Sequence, residues 1–269
     1  MASNEDGTVW MPNVAPRAGV ARRLVAPDGH PYCLTMVRPS TPPPSEGFPL
    51  ILVLDGASHF PIVAGAVNAL GRRTAKTGVP NAIVVGLAQD AGAAVEDARR
   101  AHDFTDGPPE PPHAVPHTGG GAEALLAFIA DTVLPTVQAS APVDAARTAL
   151  FCHSLGALFG LHVMARRPDL FSAWGLVSPS LWWRSDLARR AAGAVASNTS
   201  TIHLAWGERE GVGGDPRGMV ANSAAALEKF KSTLGTQRVS GGMLADEDHG
   251  SAPIAACPAI LRSFGRAWA

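Results

Sequence analysis

The sequence predicts an α/β protein built on one mostly parallel, twisted sheet with helices on both faces. Three observations carry this expectation. From residue 50 onward, short apolar runs alternate with helix-compatible stretches, the pattern of successive strand–helix–strand units. The run Leu50-Ile51-Leu52-Val53-Leu54 is apolar at every position, as in a strand covered on both faces. Ahead of it, Gly19–Ala26 and Pro31–Val37 flank Pro27-Asp28-Gly29, a turn signal that predicts an antiparallel hairpin before the parallel part.

Composition narrows the class. The chain has 269 residues, 46% of them hydrophobic, enough for a sizeable core. A net charge of −1 provides no field for nucleic acid or an anionic membrane surface. Arginine pairs such as Arg22-Arg23 and Arg166-Arg167 fit solvated helix ends. The three cysteines Cys33, Cys152 and Cys257 are far apart and form no C-x-x-C pair, so neither a zinc site nor a disulfide framework is expected. Residues 1–17 are polar and Pro-containing, read as an N-terminal arm without the basic and apolar regions of a signal peptide. No apolar run is read as approaching the ~18 residues that cross a bilayer. The expected protein is cytoplasmic, a single domain over residues 18–269, with no sequence signal of its oligomeric state.

The elements follow in order. Leu50–Leu54 is a buried strand ending at Asp55-Gly56-Ala57-Ser58, with a helix over about Ile62–Thr77. Asn81–Leu87 is a second buried strand. Residues 89–120 read as a long connection, charged at first and then rich in Pro, His and Gly, a lid-like insert. Ala122–Gln138 is a helix and Thr148–Phe151 a short strand. That strand stops at Ser154, after which Leu155–Arg166 is apolar and helix-compatible. Phe171–Val177, Ser200–Trp206 and Val239–Leu244 are further strands, separated by helices over Asp186–Ala196 and Met219–Leu234. Ile254–Trp268 closes the chain as a helix.

The corner at Ser154 points to chemistry. Cys152-His153-Ser154-Leu155-Gly156 approximates G-x-S-x-G, the strand–turn–helix elbow that lifts a nucleophilic serine clear of a sheet. A serine hydroxyl needs a base, and the base needs an orienting carboxylate. His249 lies just past the last strand with Gly250 behind it. Gly207-x-x-Glu210 follows the strand before it, so Glu210 is the expected acid, with Glu208 the nearest rival and Asp215 and Asp248 further alternatives. Serine, acid and histidine then occur in α/β-hydrolase order. The oxyanion hole would take the N–H of Leu155 and a second from Ala57 or Gly56, where glycine allows close approach. His113 and His117 have helical metal-site spacing, but Pro111, Pro112 and Pro116 make a helix there unfavourable; no metal or organic cofactor is expected.

These segments resemble the putative-esterase family of α/β hydrolases, the branch that holds enterochelin (siderophore) esterases. The resemblance rests on Leu52-Val53-Leu54-Asp55-Gly56, Arg100-Ala101-His102-Asp103-Phe104-Thr105, His153-Ser154-Leu155-Gly156, Ser178-Pro179-Ser180-Leu181-Trp182-Trp183, Gly207-Glu208-Arg209-Glu210 and His249-Gly250-Ser251. The family's elbow reads G-H-S-L-G-G, and here its outer glycines are Cys152 and Ala157. Asp106 stands where the family has Pro. The resemblance implies a serine ester hydrolase acting through an acyl-enzyme on a small-molecule ester, siderophore-like or aromatic. Arg100 would either hold an anionic ligand or pair with Asp103 or Glu96. Trp182 and Trp183 would meet an aromatic acyl group, one of them also capping the core. Interception of the same acyl-enzyme by an alcohol or amine (an acyltransferase or cyclase) and a non-catalytic binding role are the alternative readings.

Overall fold

The computed structural model describes residues 19–90, 93–116 and 119–269. The proposed arm over residues 1–17 lies outside them, as does His117. An eight-stranded sheet runs in the order β1-β2-β4-β3-β5-β6-β7-β8. The hairpin β1 (Val20–Val25) and β2 (Pro31–Val37) is antiparallel, and β2 also pairs antiparallel with β4 (Ile83–Gln89). The remaining pairs, through β3 (Phe48–Leu54), β5 (Val143–His153), β6 (Ala173–Val177), β7 (Thr201–Gly207) and β8 (Val239–Leu244), are parallel. This is the α/β-hydrolase arrangement that the alternation of elements predicts.

The period of two along β3 explains the layers. Leu50, Leu52 and Leu54 point into one apolar cluster, and Ile51 and Val53 into the other. Because both sides are covered, every residue of β3 is buried. Each such aliphatic side chain contributes on the order of 1.5–3 kcal/mol on transfer from water. The face under Ile51 is closed by α1 (Gly56–Leu70) and, at the chain's end, α9 (Ala252–Ala267). A short helix, α2 (Thr74–Thr77), follows α1. Against the opposite face pack α3 (Ala93–Asp103), α4 (Ala122–Phe128), α5 (Leu134–Ser140), α6 (Leu155–Arg166), α7 (Leu187–Ala194) and α8 (Met219–Leu234).

Three expectations need correction. α1 begins at Gly56, six residues before the expected Ile62. Pro61 suggests a break, but it sits in the second turn with its ring exposed and costs a single internal hydrogen bond. The connection 89–120 contains a helix that the sequence reading did not place: α3 fills part of it. The rest is pinned to the loop after β6, where Trp183 donates from Nε1 to the Gly107 carbonyl (2.8 Å) and Arg184 pairs with Asp106 (2.7 Å). The helical run Ala122–Ser140 is 19 residues long and apolar enough to cross a membrane by length and composition. Its Leu125, Leu126, Ile129, Val133 and Val137 are instead buried in the core.

The backbone is tensest at one edge. Among the described residues, the non-glycine residues with positive φ are Asp55, Ser154, Ser178 and Asp246. Each lies within two residues after the carboxyl end of a strand: β3, β5, β6 and β8 respectively. That rim is where open parallel sheets hold their ligands.

Candidate active site

Ser154 occupies the corner between β5 and α6 with φ 58° and ψ −122°. The turn is held by its own backbone: Ser154 N–H donates to the Val177 carbonyl (3.0 Å), and its carbonyl accepts from Leu158 (3.0 Å) and Ser180 (3.2 Å). The hydroxyl faces a cleft of about 240 Å³, lined also by Leu155, Ser180, Trp182, Arg217 and Met219. Leu155 opens α6, so its N–H is one of the donors that a helix leaves without an internal partner.

The candidate base comes from the loop between β8 and α9. His249 Nε2 lies 2.9 Å from Ser154 Oγ, and His249 Nδ1 lies 2.8 Å from Glu210 Oε2. The Asp248 carboxylate shapes this loop by accepting from the N–H groups of Gly250 and Ser251, both at 2.9 Å. Packed behind the base is the ring of His153, 4.5 Å from the His249 ring and edge-on to His59. Burial, with the charges of His249 and His59 adding to it, pushes His153 down to about 2, so it stays a neutral packing group.

Glu210 sits in the turn after β7, its side chain 2% exposed. Burial works against its charge. Hydrogen bonds from His249, from Ser178 Oγ (2.5 Å) and from the Gly207 N–H (2.8 Å) overcome that and hold the carboxyl below its ordinary range. Gly207 is required because the His249 loop crosses it: a Cβ there would stand 2.4 Å from the Glu247 carbonyl oxygen. The rival acids are engaged elsewhere. Glu208 accepts from the Asp246 N–H (3.0 Å), Asp215 caps α8 through Met219 and Val220, and Asp248 shapes its own loop. Of the four carboxylates considered, Glu210 is the one in contact with His249.

This arrangement of serine, histidine and carboxylate sits inside a broader likeness: a family model described as "Putative esterase" matches residues 29–231. The chain belongs to the putative-esterase family. It is 34% identical over 197 residues to the ferri-bacillibactin esterase of Bacillus subtilis, covering 66% of each chain. It is 35% identical over 173 residues to a siderophore triacetylfusarinine C esterase of Aspergillus fumigatus, covering 60% of this chain and 56% of that one. These matches span less than two thirds of the curated relatives' length. Among solved structures, the BES protein of Bacillus cereus superposes with a TM-score of 0.82 at 25% identity, over 96% of this chain and 98% of that one. A siderophore hydrolase of Aspergillus nidulans gives 0.79 at 25% identity, over 94% and 97%.

Measured against its family, the chain's altered elbow has a local explanation. Cys152 is fully buried, and its Sγ lies 2.7 Å from where a Cβ on Gly160 would stand. In this chain the space for the Cys152 side chain is supplied by Gly160, one turn into α6. Gly160→Ala should destabilise the fold by about 1–2 kcal/mol, overpacking outweighing the gain in helix propensity. The double variant with Cys152→Gly should recover most of that loss. Urea unfolding of the two single variants and the double variant measures the coupling.

Other esterase-family positions need correction. The Arg100 guanidinium is not part of the cleft lining: it grips Asp55 with two hydrogen bonds, at 2.7 and 2.9 Å. Of the two partners expected for it, Asp103 pairs with Arg99 (2.8 Å), and the side chain of Glu96 lies outside the described residues. Arg100 thus ties α3 to the corner where α1 begins. Gly56 and Ala57 open that helix, Gly56 packed on the β4 backbone and Ala57 exposed. Trp183 is also removed from the substrate set, because it is buried and spent on Gly107. Its neighbour Trp182 lines the cleft, with His113 edge-on to its ring at 5.3 Å. Sequence reasoning missed Ser178 as a support for Glu210, although Ser178 stands within a quoted motif. It also missed Arg217, which lies in a Gly/Pro-rich loop without any motif. Among the described residues there is no cluster of three or more metal-ligating side chains.

Proposed function

We propose that this protein is a serine carboxylic-ester hydrolase acting on siderophore-like or aromatic esters through an acyl-enzyme on Ser154. The observation that supports it most directly is the chain of contacts Glu210–His249–Ser154, at 2.8 and 2.9 Å. Ser154 Oγ attacks the ester carbonyl while His249 Nε2 takes its proton. Glu210 accepts from Nδ1–H, fixes the tautomer and stabilises the imidazolium. The N–H groups of Leu155 and Ala57, with Gly56 beside it, receive the oxyanion at two helix N-termini. His249 returns its proton to the leaving alkoxide. A water, deprotonated by His249, then attacks the acyl carbonyl and frees the acid and Ser154. The chemistry needs no metal. The relatives' names supply the substrate class, and Trp182 in the cleft wall suits a planar acyl or alcohol group. A cytoplasmic location belongs to the same reading, in keeping with three unpaired cysteines.

Intact-mass spectrometry after treatment with a fluorophosphonate tests the mechanism. One adduct is expected on the wild type and none on Ser154→Ala. A folded wild-type sample without an adduct would overturn the reading.

A further inference from the structure

Within the cleft, one charged group has no role in the relay. The Arg217 guanidinium carbon stands 4.5 Å from the centroid of the Trp182 ring. Both residues line the same cleft as Ser154 and His249. Trp182 is fixed in turn, 8% exposed and packed against Trp183 at 5.3 Å. Arg217, by contrast, is exposed. Among the described residues it makes no ion pair, and the nearest carboxylate in sequence, Asp215, is turned into the N-terminus of α8.

We propose that Arg217, stacked on Trp182, is the anion-recognising subsite of the ester cleft. The inference rests on the esterase reading and names the substrate feature that the cleft selects: a negatively charged oxygen on or beside a planar group, as in a carboxylate, hydroxamate or phenolate. The physical argument has three parts. A guanidinium held over an indole face is attracted through its charge and does not spend its N–H donors on that contact, so they stay available for a planar oxyanion in a fork. The stack fixes the long arginine side chain in advance, which lowers the ordering cost of binding. No carboxylate competes for the charge within the cleft wall except Glu210, whose oxygens are already bound to His249, Ser178 and the Gly207 N–H. A neutral ester would gain only the Trp182 face; an anionic one would gain the fork as well.

The test separates binding from catalysis. Salicylate and its neutral counterpart salicylamide are titrated calorimetrically into Ser154→Ala protein and into the same protein carrying Arg217→Met, whose thermal melts are compared first. Arg217→Met should weaken salicylate about tenfold and leave salicylamide within about twofold, with Arg217→Lys intermediate. In the active enzyme, Arg217→Met should lower kcat/KM for 4-nitrophenyl hemisuccinate about tenfold more than for 4-nitrophenyl pentanoate. Equal losses on charged and neutral ligands, or no loss on either, would overturn the subsite. If wild-type Ser154 still takes the fluorophosphonate while salicylate binding ignores Arg217, the subsite fails and the esterase stands. If salicylate binding depends on Arg217 but Ser154 neither labels nor turns over esters, the esterase reading is what fails.

Discussion

Replacing Ser154 by alanine should lower kcat for any hydrolysed ester by about 10⁴-fold or more, with little change in thermal stability. The size follows from what is removed. His249, Glu210 and the helix N-termini would remain in place, but no atom would stand 2.9 Å from His249 Nε2 to form the acyl bond. What remains is a binding cleft with an oxyanion site, which accounts for residual rates above water alone. Alanine tolerates φ 58° no better than serine does, so the strain of the elbow is unchanged. Steady-state kinetics on protein quantified by absorbance, with a melting curve beside it, measures both quantities. A loss below about tenfold would mean that another group is the nucleophile.

The second large effect is expected at the acid. Glu210→Gln should reduce kcat by about 10³–10⁴-fold, because an amide can donate toward Nδ1 and stabilise the wrong imidazole tautomer. Glu208→Gln should stay within about threefold, since its carboxylate only accepts from the Asp246 N–H. This pair of variants decides the assignment that sequence left open. A pH signature accompanies it. The Glu210 carboxyl lies below its ordinary value of 4.5 in the folded protein. Its contribution to stability is therefore full above 4.5, and is lost as pH falls through the lower folded value. Acid unfolding of Glu210→Gln should lack that component, and a pH titration of stability for both proteins measures it.

The residues that were legible in sequence carry a local signature. β3 shows itself as five apolar positions in a row, and the elbow as an apolar run broken by a serine. Gly207-x-x-Glu210 and His249-Gly250 show themselves as turn residues just beyond strands. Partners chosen across the fold leave no such trace. Arg100 and Asp55 are 45 residues apart, and nothing in either neighbourhood favours that pairing over the adjacent Asp103. Nor does local sequence reveal Gly160, whose missing side chain is explained by Cys152 and, further off, Leu176 lying across the strand–helix contact. Pro61 misleads for a related reason: its helix-breaking tendency is real, but burial of Val63 and Val67 against the sheet outweighs one absent hydrogen bond. α3 is obscured because the apolar positions of Ala93–Asp103 are only alanines and one valine among charged residues, inside a stretch that runs on into a Pro- and Gly-rich connection.

The concentration of left-handed backbone along one rim has a consequence for how this protein can be improved. A non-glycine residue held at positive φ costs on the order of 1–3 kcal/mol; Ser154 is the proposed nucleophile, Ser178 supports Glu210, and Asp55 holds Arg100 at the corner where α1 begins. Glycine at any of them would relax the chain. A laboratory selection that rewarded heat resistance alone would therefore drift toward these positions and harvest inert proteins. Engineering for durability should leave the rim untouched and work on the far side of the sheet, where sequence can change without approaching the chemistry.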